Sequence, residues 1–89
     1  MRKHYAAVRV TEHVSGRHVW VIGRYETLTA ARHARNDAIE GAADHLAHHG
    51  GKGQVLITPT DFLGIGYAVT LVAPDGVVEA DYLFRVEYS

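Results

Sequence analysis

Apolar and polar residues alternate with period two over most of this chain and switch to a helical period over one central stretch. From Tyr5 to Thr11, Ala6, Val8 and Val10 fall on one face and Tyr5, Arg9 and Thr11 on the other, which predicts a strand. Ser15-Gly16 supplies a turn, and His18 to Tyr25 returns as a second strand. There Val19, Val21 and Tyr25 share one side and Trp20 and Ile22 the other, so both faces carry apolar weight. One face is expected to meet the helix and the other a partner chain.

Ala30 to His49 runs without proline and predicts the helix. Thr27 or Thr29 can cap its start through a hydroxyl oxygen, and Gly50-Gly51 ends it. Leu28, Ala31, Ala38, Ile39, Ala42 and Leu46 form its apolar stripe, opposite His33, Asp37, Glu40, Asp44 and His48. A stripe built mostly of alanine lets the helix lie close to a sheet but buries little area, at ~0.8 kcal/mol per methylene. Small domains often recover such a deficit by oligomerising.

Gln54 to Thr58 reads as a short strand that Pro59 stops or places at an edge. Thr60 to Gly66 is a loop carrying large apolar residues, Phe62, Leu63 and Ile65. Tyr67 to Ala73 and Val77 to Tyr88 form a hairpin across Pro74-Asp75-Gly76. The last strand alternates cleanly, with Val78, Ala80, Tyr82, Phe84, Val86 and Tyr88 on one face and Glu79, Asp81, Arg85 and Glu87 on the other. The expected architecture is a single α+β domain over residues 1–89, one α-helix packed on an antiparallel sheet of about five strands, in the order β-β-α-β-β-β.

Composition narrows the classes. The chain has 89 residues, no cysteine and a formal net charge of −1. Disulfides, thiolate zinc sites and cysteine nucleophiles are excluded, and a uniformly basic nucleic-acid binder is not indicated. No apolar run approaches the ~18 residues of a membrane span. The start, Met1-Arg2-Lys3-His4-Tyr5, is basic but is followed by no apolar signal core, so we read no secretory leader and expect a cytoplasmic protein. Seven Arg against two Lys, with twelve Ala and eleven Val, resemble usage in a high-GC genome, such as an actinobacterium or its phage, and fit a small accessory protein. Residues 1–53 hold eight of the nine basic residues and five acids, a balance of +3, while residues 54–89 hold Arg85 and five acids, a balance of −4. Packing of the two halves is expected to let these charges complement one another.

Three features bear on chemistry. Asp44, His45, His48 and His49 stand in the last helical turns, with His45 and His49 at i, i+4, a spacing that can chelate zinc or nickel. Leu46 follows His45 where the zinc-protease motif needs Glu, so that motif is absent. Arg35 falls inside the alanine stripe, where a buried guanidinium requires a partner; Asp61, Glu79 and Asp81 are the candidates for an ion pair. Gly50-Gly51-Lys52-Gly53 follows a helix rather than a strand and is a connector, not a phosphate loop.

No nucleophile lies in a catalytic sequence context, so we assign no catalytic residue, no cofactor and no enzymatic activity. The leading expectation is a protein-interaction module that self-associates, as a dimer, through Trp20, Ile22, Phe62, Leu63 and Ile65. The alternatives are nucleic-acid binding through Arg9, Arg17 and Arg24 of the first hairpin, with aromatic residues interleaved, and metal binding at the helix-end histidines.

Overall fold

Each alternating stretch forms a strand and the helical stretch forms one helix. The computed structural model describes residues 3–13 and 15–88; Met1 and Arg2 of the basic start lie outside the described residues. The elements are β1 (Tyr5–His13), β2 (Gly16–Tyr25), α1 (Leu28–His49), β3 (Gln54–Pro59), β4 (Gly66–Val72) and β5 (Val78–Tyr88). The five strands make one sheet in the order β2-β1-β5-β4-β3, with every neighbouring pair antiparallel. The expected α+β architecture is therefore the one adopted. Pro59 ends an edge strand, as its missing N–H requires.

The strand order explains the place of the helix. β2 is one edge and β3 the other, and α1 is the connection between them. It must cross one face of the sheet on its way. Thr27 starts it: the hydroxyl oxygen accepts a hydrogen bond from the Ala30 N–H at 3.1 Å. Gly50 and Gly51 end it, with Gly51 at φ 59°. Against the sheet, Ile39 and Leu46 pack on Val69, Leu71 and Phe84, and Ala38, Ala42 and Ala43 flank them. The face of β5 that carries Ala80, Tyr82 and Phe84 is thus the helix face. Leu28, expected in the stripe, sits at its exposed end.

A second cluster forms on the face away from the helix. Ala6, Val8 and Val10 are buried there with Leu83 beside them. β1 lies between β2 and β5, so its small side chains are flanked on both sides.

β2 departs from simple alternation. Val8 pairs with Val21 but Ala7 pairs with Gly23, which leaves Ile22 as an extra residue in a bulge. The shift carries Tyr25 to the helix side, opposite Tyr5, instead of the side of Val19 and Val21 expected from the sequence. Gly23 makes room for it: a Cβ there would stand 2.8 Å from Tyr25 Cζ.

Arg35 also differs from expectation. It is 3% exposed, yet neither Asp61, Glu79 nor Asp81 forms an ion pair with it. Its guanidinium donates instead to the carbonyls of Gly64 and Ile65 and, through Nε and Nη2, to Asn36 Oδ1 at 3.2 and 2.8 Å. The ring of Tyr67 lies 5.0 Å from it. Burial lowers its pKa from the usual guanidinium value, partly offset by Tyr67. Backbone carbonyls suffice here because they accept hydrogen bonds without bringing a second desolvated charge into the layer. Replacing Arg35 with Met leaves the Gly64 and Ile65 carbonyls short of a donor and is expected to lower stability by about 1–3 kcal/mol in urea denaturation. An unchanged midpoint would show that these bonds contribute nothing net.

Candidate functional site

The loop between β3 and β4 is organised by one carboxylate. Asp61 Oδ1 accepts from the N–H groups of Leu63 and Ile65 at 2.9 and 3.0 Å, and Oδ2 accepts from Gly66 at 3.0 Å. Those donors, Ile65 foremost, hold the Asp61 carboxyl below its ordinary 3.8. The opposite side of the loop is held from the helix. Arg35 takes the Gly64 and Ile65 carbonyls, and Arg32 Nη2 donates to the Leu63 carbonyl at 3.2 Å. The Ile65 carbonyl also accepts from Val86 of β5 at 3.2 Å. Gly64 sits at φ 68°, a conformation that favours glycine.

This bracing turns the loop tip outward. Phe62 is fully exposed and Leu63 is 71% exposed, although both are large and apolar. Ile65 is half-buried beneath them. Beside the tip lies a largely apolar groove of about 330 Å³, walled by Tyr5, Leu28, Leu63, Ile65, Val86 and Tyr88 together with the charged Arg32.

Trp20 and Ile22 do not join this patch. They lie on the edge strand β2, on the helix side, where they line a separate groove of about 390 Å³ with Ala38, Ala42 and His45 of α1. Val19 and Val21 point to the other face by alternation. Each of the four residues from Val19 to Ile22 is between 41% and 55% exposed. The five residues expected to form one interface therefore form two surfaces, an edge strand and a loop tip.

The three arginines of the first hairpin are divided as well. Arg9 stands on the helix face opposite Phe84 and Trp20, whereas Arg24 pairs with Ala6 and lies on the other face, as Arg17 does by alternation from Val19. They present no common phosphate-binding surface. At the end of α1, the rings of His45 and His49 stand 4.5 Å apart and those of His48 and His49 5.0 Å apart. Asp44 adds no third ligand: among the described residues, no group of three or more His, Asp or Glu side chains is placed to hold a metal ion. The ion pair of Arg85 with Glu87, at 3.8 Å, lies within β5 and does not join the two halves of the chain.

The bracing by Asp61 is the feature that sequence reading missed. An aspartate followed by Gly64 and Gly66 is the available signal, since Asp accepts from backbone N–H groups a few residues on. Because the folded pKa is depressed, the stability Asp61 contributes is present above its unfolded value and is lost as pH falls through the folded value. The amide resonances of Leu63, Ile65 and Gly66 are expected to titrate together with a midpoint under 3.8 and to lose that titration in Asp61→Asn. Independent midpoints at the three amides would contradict a single organising carboxylate. No helix among the described residues is long and apolar enough to cross a membrane. No protein-family model, curated protein or solved structure matches the chain at a significant level.

Proposed function

We propose that this protein is a non-enzymatic protein-interaction module that self-associates through β2, two copies joining their edges antiparallel into a continuous sheet. The observation that carries this reading is apolar exposure on both faces of one unpaired edge strand. A partner docking on a face covers Trp20 and Ile22 or Val19 and Val21, but not both pairs. A partner that extends the sheet brings cross-strand neighbours to both faces and also satisfies the open backbone N–H and C=O groups. β2 is ten residues long and contains no proline to block such pairing. The Phe62–Leu63 tip stays outside that contact and offers a surface to a different protein. Its rigid anchoring lowers the entropy lost when a partner orders it.

Sedimentation velocity at about 100 μM, a concentration that populates even a weak dimer, is expected to give twice the 9.8 kDa chain mass. Val21→Lys places a charge on the exposed edge and is expected to yield the monomer with an unchanged circular dichroism spectrum. Trp20→Ala is expected to weaken the dimer, while Phe62→Ala leaves it intact. A wild-type monomer at this concentration rules the reading out, and so does a folded Val21→Lys dimer.

A further inference from the structure

The groove between α1 and β2 contains a half-buried cation that makes no hydrogen bond with the described residues. Arg9 projects from the middle of β1 into the layer between sheet and helix, with Trp20 opposite it on β2 and Phe84 opposite it on β5. An arginine at such a place normally finds an acceptor, because an unmet donor in a dry layer is unfavourable. Arg35, in the same layer, makes four hydrogen bonds. Arg9 makes none with the described residues; its Nε is buried without a partner, as are those of Arg32 and Arg85, but of the three Arg9 is the one that lines this groove. What it has is aromatic surface: the guanidinium carbon lies 5.5 Å from the Trp20 ring centroid and 5.6 Å from that of Tyr82. Those contacts hold the guanidinium beside two rings without using its N–H groups.

The space around this cation fits a small molecule. The groove holds about 390 Å³, within the range of ligand sites. Ala38 and Ala42 on the helix side leave the room that larger residues would take, and no acidic residue lines it. Its walls are Trp20, Ile22, Tyr82 and Phe84, with His45 as a second polar group. A guanidinium fork matches a carboxylate, and flat aromatic walls match a flat carbon skeleton. A bare inorganic anion would use the fork and leave the walls unused; a neutral aromatic would do the reverse.

We propose that the Arg9 groove, between the α1 alanines and the Trp20 and Tyr82 rings, binds a small organic acid with a planar apolar body, its carboxylate on the Arg9 guanidinium. Every lining residue belongs to one chain, and Trp20 and Ile22 of β2 are shared with the edge proposed for self-association.

Trp20 is the single tryptophan, so its fluorescence reports on the groove directly. The probes are benzoate, benzamide as the uncharged match in shape, and acetate as the charge without the ring. Benzoate is expected to change Trp20 emission saturably, with a Kd of about 1 mM or tighter, and the other two to bind at least about tenfold more weakly. Arg9→Gln is expected to reduce benzoate affinity about tenfold or more. Arg9→Lys, which keeps the charge but not the fork, is expected to fall between the two. The absence of a saturable response in the wild-type protein at about 20 mM benzoate, twenty times the expected limit, overturns the proposal. Equal binding of benzamide overturns it too, as does full benzoate affinity in either folded Arg9 variant.

Discussion

The grip of Arg35 on the Gly64 and Ile65 carbonyls is the interaction on which the arrangement of helix, loop and sheet depends. Alanines dominate the helix stripe, and each contributes little buried area, at ~0.8 kcal/mol per methylene. A hydrogen bond from a charged group contributes about 1.5–3 kcal/mol. The two bonds that reach the loop, to the Gly64 and Ile65 carbonyls, therefore rival several alanines in deciding where the helix sits, while the two to Asn36 within the helix orient the guanidinium. They also fix the loop: with Arg35 on its carbonyls and Asp61 on its amides, the backbone from 61 to 66 has few conformations left. The exposure of Phe62 follows from this anchoring, since a loose loop of the same composition would fold its aromatic ring onto the neighbouring apolar groove.

Much of the fold was legible in the pattern of residues. The alternation through β5, the run from Ala30 to His49 and the turn residues Pro74, Asp75 and Gly76 are local signals, and they place the elements within a few residues. The turn itself forms as expected, with the Gly76 N–H on the Ala73 carbonyl at 2.9 Å and the Val77 N–H on Asp75 Oδ1 at 3.1 Å. What stayed hidden depends on pairing between distant segments. The bulge at Ile22 arises from register against β1, and it alone moves Tyr25 to the helix side. The acceptors for Arg35 are main-chain carbonyls, which every residue carries and no residue type announces. The division of Arg9 from Arg17 and Arg24 follows from strand alternation but becomes meaningful only when the helix takes one face.

One helix on five strands leaves an uneven distribution of cover. The middle of the helix face is sealed by Ile39, Leu46 and Phe84. Either side of the helix is open, which is why grooves form there rather than at the centre. On the far face there is no second layer, and burial there is confined to the small residues of β1 with Leu83 at their side. Apolar surface that reaches water is thus concentrated at the margins: both edge strands, β2 and, with Leu56 and Ile57, β3, the loop tip, Val77 and Val78 after the last turn, and Tyr88.

The two margins of the sheet are not equivalent. β3 is six residues long and closes on Pro59, while β2 runs ten residues without a proline. A sheet with two equally receptive margins can add subunits end upon end and grow into a filament. Here the short, proline-ended margin is a poor acceptor, so addition at the long one leaves a product with no comparable margin to offer. In the proposed dimer that asymmetry sets the limit of growth: two long margins consumed leave only the short ones facing outward.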